Sequence, residues 1–248
     1  MRILPHCGRT AAVILLVAFV INQPLAGNGR CYFDLSGGFK TGTFGTAVRS
    51  NLVYCAPAIG YAARRYEASI TIPYLFLATY TTDAVRTGGE NGIGDIILRT
   101  GWTAVSAGPR GFSLDAVLAV KLGTADATRG LGSGATDLGV FLNGNQLVAG
   151  TKFTLMAGYI KTGRSISVSF NDLFLYGAGV SRIVGFNEPY LSLEGRSAIV
   201  SGAQNPLELH MGLFRLMNLN YALKGGVFTG FNNGGPRLGF ECGLVRWF

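Results

Sequence analysis

Hydrophobic and polar residues alternate with a period of two along most of the chain. Between residues 112 and 122 the even positions hold Phe, Leu, Ala, Leu, Val and Leu, and the odd positions hold Ser, Asp, Val, Ala and Lys. Segments 66–78, 96–104 and 219–227 show the same alternation. A period of two places the two sets of side chains on opposite faces of a β-strand. The pattern therefore predicts strands with one apolar and one polar face.

The connections between these segments alternate in length and predict a barrel. Short turns alternate with longer loops that are rich in Gly, Thr, Asn or Ser, an arrangement typical of outer-membrane barrels. We predict an all-β fold, a transmembrane antiparallel up-and-down β-barrel of about 12 strands. An even number of strands places both termini on the periplasmic side. The predicted strands are 31–41, 49–62, 65–78, 93–106, 111–122, 136–147, 150–162, 171–183, 187–198, 205–216, 218–230 and 235–248.

Composition supports a membrane barrel over other architectures. The chain has 248 residues, of which 48% are hydrophobic and only 14% are charged, whereas soluble domains carry about 25% charged residues. Its longest apolar run, 11–21, is too short for a transmembrane helix, which needs roughly 18 residues or more. A soluble β-sandwich would also alternate, but it would need a densely charged exterior. The sparse, sign-mixed charges of the polar face fit a wet barrel interior better.

The N-terminus has the features of a secretory signal. Arg2 and Arg9 precede or flank an apolar core at 11–21, and Pro24 is followed by small residues suited to cleavage. We predict a cleaved signal peptide over 1–27 and a single outer-membrane barrel domain over 28–248. Removing two of the 21 basic residues leaves 19 against 13 acidic ones, a net charge of +6. An exported chain without a long basic run is not expected to bind nucleic acid.

Three cysteines remain in the predicted mature chain: Cys31, Cys55 and Cys242. An odd number cannot form a complete disulfide framework. Two states are compatible with the sequence, a Cys31–Cys55 bridge in an oxidising compartment and three unpaired thiols.

The last strand ends on an aromatic residue after regular alternation. Phe240, Leu244 and Phe248 lie on one face, an arrangement that resembles the signal by which outer-membrane proteins are recognised by the barrel-assembly machinery. Arg246 departs from that pattern, since an aromatic or aliphatic residue is usual there. Near the membrane interface such an arginine can extend its charged group toward water.

Charged side chains on the polar faces are the candidate lining of a pore. They could form a salt-bridge ladder that stabilises the wall, or a permeation path that selects solutes by charge. Asp95 and Arg99 share a face about 13 Å apart, so each needs a partner on a neighbouring strand, and Asp115 and Lys121 are the candidates. The lumen-lining candidates are Glu67, Asp95, Arg99, Asp115, Lys121, Lys152, Glu194, Arg196, Glu208, His210, Lys224 and Glu241.

Two features resemble parts of a binding or catalytic site, but a structural role explains each of them better. The glycine-rich segment 130–134 is followed by an alternating strand, whereas a phosphate-binding loop needs a following helix. It is predicted to be a flexible outer loop whose glycines adopt positive φ. His210 is the only histidine after the signal segment and lies on the polar face beside Glu208. We predict no catalytic residue, no metal site and no cofactor.

Several motifs resemble a known family. Ile-Pro-Tyr at 72–74, Gly-Ile-Gly-Asp-Ile-Ile-Leu at 92–98, Lys-Leu-Gly-Thr at 121–124 and the glycine-rich 130–137 occur in the order found in bacterial outer-membrane barrels named for meta-pathway phenol degradation, also called transporter-like. The resemblance covers roughly 60–248 and is strongest at 70–145. It implies an outer-membrane barrel with a transport role, but the family's name rests on gene neighbourhood rather than on a shared reaction.

These observations favour a narrow outer-membrane channel for passive uptake of small molecules, with aromatic or hydrophobic solutes as candidates. Its expected partners are outer-membrane lipid, the barrel-assembly machinery and those solutes. One alternative is a sealed structural barrel whose loops meet external partners. Another is a lipid-modifying enzyme, which would need a Ser/His pair facing the membrane.

Overall fold

Most of the described residues lie in antiparallel strands. The computed structural model describes residues 29–45, 48–80, 86–106, 111–164 and 170–248; the predicted signal peptide, 1–27, lies outside them. Among the described residues no helix is long and apolar enough to cross a membrane. The strands are β1 (Arg30–Gly42), β2 (Arg49–Ala62), β3 (Tyr66–Thr71), β4 (Tyr74–Tyr80), β5 (Arg86–Ile93), β6 (Ile97–Val105), β7 (Phe112–Lys121), β8 (Asp137–Val148), β9 (Thr151–Lys161), β10 (Leu173–Arg182), β11 (Asn187–Arg196), β12 (Leu207–Asn218), β13 (Tyr221–Gly230) and β14 (Pro236–Trp247).

The sheet closes on itself. Strand β1 pairs antiparallel with β14 on one side and with β2 on the other. Strands β3 and β4 pair with successive halves of β2 and are therefore one interrupted wall strand. Strands β5 and β6 pair with β4 and β3 and form the next one. The wall thus has 12 strands, which confirms the predicted barrel.

The two ends of the barrel differ. One end, called here the turn end, carries the short turns at 149–150, 183–186 and 219–220, and the opposite loop end carries the connection 122–136. Both ends of the wall meet at the turn end, where the guanidinium of Arg30 donates to the carbonyl oxygens of Leu219 and Phe248. The Phe248 N–H donates to the Cys31 carbonyl at 2.9 Å.

Apolar side chains cover the outside of the wall, as the alternation predicted. Leu155, on the outward face of β9, is 68% exposed, and Phe174 on β10 is 63% exposed. Water would make such a surface unfavourable, whereas acyl chains solvate it. Other exposed apolar residues of the wall are Val53, Ile59, Leu118, Val140, Leu142, Leu193, Met211, Val227 and Phe240.

Two neighbouring wall strands are interrupted at the same level. Pro73 separates β3 from β4, because proline has no N–H to donate to the adjacent strand. Opposite it, residues 94–96 separate β5 from β6, and the Gly94 N–H donates to the Pro73 carbonyl at 2.8 Å. The sequence predicts a loop over 79–92, and this is wrong at residues 79–80, which belong to β4, and from Arg86 onward, where β5 begins. Three glycines and an asparagine between 88 and 92 hide that strand from the alternation pattern.

We predict that a charge on the outer surface destabilises the barrel according to its depth. Met211→Arg, near the middle of β12, should lower the free energy of unfolding by about 2–4 kcal/mol, since acyl chains cannot solvate the guanidinium. Met217→Arg is the matched control, because Met217 is 51% exposed against 50% for Met211 but lies at the turn end, where the cost is about 0–1 kcal/mol. Urea titration in lipid vesicles measures both, and equal losses would contradict a membrane-embedded wall.

Candidate functional site

The predicted lining residues lie on the inner side of the wall. Eleven occupy strand positions that alternate with exposed apolar residues, and Asp95 lies in the interruption between β5 and β6. Asp115 is 2% exposed, Asp95 and Glu208 are each 8% exposed. The geometry assigns them to the interior, while their role in permeation stays a prediction.

Lys121, the last residue of β7, is the centre of an ion-pair network at the loop end. Its ammonium lies 2.9 Å from Asp95 Oδ2 and 3.1 Å from Asp137 Oδ2. It also donates to the Ser133 hydroxyl and to the Ala135 carbonyl. Of the two partners expected for Asp95 and Arg99, Lys121 does pair with Asp95, whereas Asp115 accepts from the Thr103 hydroxyl instead.

The same network holds the segment 122–136, called here the inward loop, inside the barrel mouth. Asp95 Oδ1 accepts from the Ala125 N–H at 3.0 Å, and Asp95 Oδ2 accepts from the Ser133 N–H at 3.3 Å. One carboxylate therefore holds both arms of the loop. Ser133 is itself only 8% exposed.

An apolar contact completes the attachment of the inward loop. Leu131 and Ala125 form a buried cluster with Leu52, Tyr54 and Leu75 of the inner wall. Leu131 is 4% exposed, so burying it removes most of a leucine side chain from water, a contribution of roughly 1.5–3 kcal/mol. The predicted positive φ of the loop glycines is observed at Gly130, 74°. The loop nevertheless packs into the barrel mouth instead of lying outside it.

The tip of the inward loop is capped and tied to β5. Asp126 caps a single 3₁₀ turn, Ala127–Arg129, by accepting from the Thr128 hydroxyl and from the backbone N–H groups of Thr128 and Arg129. These hydrogen bonds hold the pKa of the Asp126 carboxyl below its usual range, so the cap persists until the pH falls below that range. Arg129 pairs with Glu90 at 2.7 Å and donates to the Asn91 carbonyl.

A second interior cluster surrounds Glu208 on β12. His210 Nε2 lies 3.4 Å from Glu208 Oε2, and its ring stacks on Phe228 with centroids 4.9 Å apart. Arg196 lies 3.9 Å from the other oxygen of Glu208. The ammonium of Lys40 lies 5.1 Å from the centre of the Phe228 ring, within the range of a cation–π contact.

Further interior charges with a polar partner lie nearer the turn end. Lys224 pairs with Asp34 at 2.6 Å, and Lys152 pairs with Glu188 at 2.5 Å. Glu67 accepts from the Tyr32 hydroxyl at 2.6 Å. Charges of both signs are therefore distributed along the interior and are mostly compensated by a neighbour.

Several residues of these clusters were absent from the predicted lining. Asp137 and Ser133 complete the coordination of Lys121, while Asp34 and Glu188 are the partners of predicted cations. Residue type alone does not distinguish an interior aromatic ring, such as that of Phe228, from a lipid-facing one. The position of Phe228 in the alternation, two residues from Gly226 and Gly230 on the inner face, was the available signal.

His210 has a serine as its cross-strand neighbour. Ser192 on β11 is in register with His210 and faces the same interior, but its hydroxyl donates to Glu194 at 3.0 Å. Within the described part of the chain, no group of three His, Cys, Asp or Glu side chains is placed to hold a metal ion. Cys31, Cys55 and Cys242 are unpaired and exposed on the outer surface.

Known structures share this barrel. No family model and no curated protein sequence matches the chain. An outer-membrane channel from Pseudomonas putida F1 superposes with a TM-score of 0.73 at 13% identity, covering 90% of this chain and 96% of that one. The NanC porin gives 0.56 at 10% identity over 86% and 98% of the two chains. The KdgM porin in complex with disordered oligogalacturonate gives 0.54 at 9% identity over 88% and 99%. At these identities the likeness establishes the fold.

We predict that Lys121 is the main attachment of the inward loop. Lys121→Met leaves Asp95 and Asp137 without their shared cation, so the free energy of unfolding should fall by roughly 2–4 kcal/mol. Hydrogen exchange at the Ala125 and Ser133 amides should accelerate more than exchange in the wall. Lys161→Met is the control, because Lys161 pairs with Asp172 at the rim with its side chain 67% exposed, and exposed pairs contribute about 0–1 kcal/mol. Unchanged amide protection in Lys121→Met would contradict the attachment.

Proposed function

We propose that the protein is a narrow outer-membrane channel for the passive uptake of small molecules. The observation that carries this proposal is the closed wall around a charged interior whose mouth holds a loop attached through Asp95 and Lys121. Barrels of about eight strands are filled by their own side chains, and those of 16–18 strands leave a wide channel. Twelve strands and an inserted loop are consistent with a narrow path. The shared fold with outer-membrane channels and porins supports a transport role.

Aromatic or hydrophobic solutes are the proposed cargo. The inner wall offers an apolar surface at Leu52, Tyr54 and Leu75, now covered by Leu131 of the inward loop. A small aromatic molecule could replace the leucine side chain at that surface without leaving a polar group unpaired. The family resemblance of the sequence, strongest at 70–145, points to the same class of solute.

The proposed location is the bacterial outer membrane, with both termini at the periplasmic side and export through the N-terminal signal. Short turns at the end that holds the termini support this orientation. Phe240, Leu244 and Phe248, which are 51%, 40% and 63% exposed, offer the assembly machinery an apolar row. The guanidinium of Arg246 lies 4.7 Å from the centre of the Phe248 ring, which accommodates the one departure from the assembly signal.

Planar-bilayer recording and liposome swelling test the channel. Refolded protein should give a measurable conductance and should admit phenolic solutes faster than small sugars of similar size. Lys121→Met should raise the conductance, because the loop no longer stays in the mouth. A complete absence of conductance and uptake in both proteins would refute the proposal.

A sealed envelope barrel is the second candidate, and the Lys121 network is the observation that favours it. Two carboxylates, a hydroxyl and a carbonyl around one ammonium fix the inward loop in the mouth. In that case wild type and Lys121→Met should both be silent in bilayers, while the variant still loses stability.

We propose that the protein is not an enzyme. His210 contacts Glu208 and Phe228 in the interior, away from the lipid surface where a phospholipid ester would bind. His210→Ala should leave any background release of fatty acid from phospholipid micelles unchanged. A wild-type activity that disappears in the variant would overturn this proposal.

A further inference from the structure

We propose that three outward-facing arginines at the turn end, Arg182, Arg215 and Arg246, form a docking surface for the phosphate groups of anionic phospholipids. The proposal concerns the outer surface of the wall and does not depend on whether the interior conducts. It is called below the arginine row.

The three arginines occupy equivalent places on parallel-running wall strands. Each follows an outward apolar residue at a spacing of two and lies within three residues of the turn-end limit of β10, β12 or β14. Those preceding residues are 38–40% exposed and face the acyl chains; they are Val180, Leu213 and Leu244.

The strand register brings the arginines to one height. Ser181 on β10 pairs with Tyr190 on β11, so Arg182 is level with Pro189, and Pro189 in turn pairs with Leu213 on β12. Arg215 therefore lies two residues nearer the turn end than the row of hydrogen-bonded partners that passes through Arg182. Arg246 is offset in the same direction, because Arg215 pairs with Leu223 and Leu223 with Leu244. Rows of hydrogen bonds climb around a barrel whose strands are tilted. The arginines are offset from these rows by one residue per strand toward the turn end, and this offset compensates the climb, so the three arginines lie at one height on the wall.

Neighbouring arginines of the row are two strands apart, or about 10 Å. None of the three forms an ion pair with a carboxylate among the described residues, and all three are exposed. Arg246 is further held in place by ring contacts, with its guanidinium 5.6 Å from the centre of the Tyr221 ring. The row therefore presents positive charge with no internal counterion.

The loop end provides the contrast. Its outward cation Lys161 is neutralised by Asp172, whose carboxyl also accepts from the Tyr159 hydroxyl and the Thr162 N–H. These contacts hold the pKa of Asp172 well below its usual range. The charge of Lys161 is thus balanced by a neighbouring carboxylate, whereas the charges of the arginine row are not.

Phospholipid headgroups match the chemistry of the row. A lipid whose acyl chains lie against Val180, Leu213 and Leu244 brings its phosphate to the level of the guanidinium groups. Guanidinium binds phosphate through paired hydrogen bonds, and each basic residue near an anionic membrane surface strengthens binding about fivefold. The orientation proposed above places these lipids in the periplasmic leaflet.

Association of spin-labelled lipids with the full-length refolded chain tests the proposal. Wild type should prefer phosphatidylglycerol to phosphatidylcholine severalfold at low salt, and added salt should weaken the preference. R182Q/R215Q should reduce that preference by about fivefold or more, toward equal binding, while R182K/R215K should keep most of it. This pair leaves Arg246 and the C-terminal strand intact, so assembly, checked by heat-modifiable gel migration, should be unaffected.

R164Q/R237Q is the matched control, since it also removes two exposed arginines, both from the loop end. It should keep the wild-type preference. The proposal is overturned if R182Q/R215Q keeps the preference, if both double variants lose it equally, or if purified lipid A displaces phosphatidylglycerol from the row. Conductance measured on the same preparations separates this outcome from failure of the channel proposal.

Discussion

The structure depends on the need to pair every backbone N–H and C=O group of a wall that faces hydrocarbon. Lipid offers no hydrogen-bonding partner, so only helices and closed sheets can satisfy these groups. Here the pairing of β1 with both β2 and β14 removes the sheet edges. At the single level where Pro73 interrupts the ladder, the Gly94 N–H donates to the Pro73 carbonyl and the pairing resumes on either side.

Closure also determines where the charges go. A strand with one apolar face outward must turn its other face inward, and the interior then holds residues that would be costly in lipid. Paired charges such as Lys224 with Asp34 and Lys152 with Glu188 keep that interior compact. The charges that hold the inward loop are compensated in the same way. Asp95, Lys121 and Asp137 neutralise one another while they hold the loop in the mouth.

The fold was readable from the sequence because alternation is local. Strand β2 has its predicted bounds, and most others differ by one or two residues. Strand β5 was missed, since glycines remove the side chains that carry the alternation. Lys121 could be predicted as one of two candidate partners for Asp95 and Arg99, because it lies on the neighbouring predicted strand, but the sequence did not separate it from Asp115. Asp137 and Ser133 could not be added, because their contact with Lys121 depends on how the loop folds back, which no periodicity encodes.

The difference between a pattern along one strand and an arrangement across several strands also explains why Arg246 departs from the sequence pattern and yet fits the structure. Viewed along its own strand, it interrupts an apolar row that should end on aromatic residues. Viewed around the barrel, it is level with Arg182 and Arg215 and lies over the rings of Tyr221 and Phe248. A charge at that height costs little in a membrane, because the guanidinium reaches the headgroup region while its methylene groups stay against apolar neighbours. Arg246 therefore breaks the apolar row of its own strand but belongs to a regular row of arginines across the tilted strands of the wall.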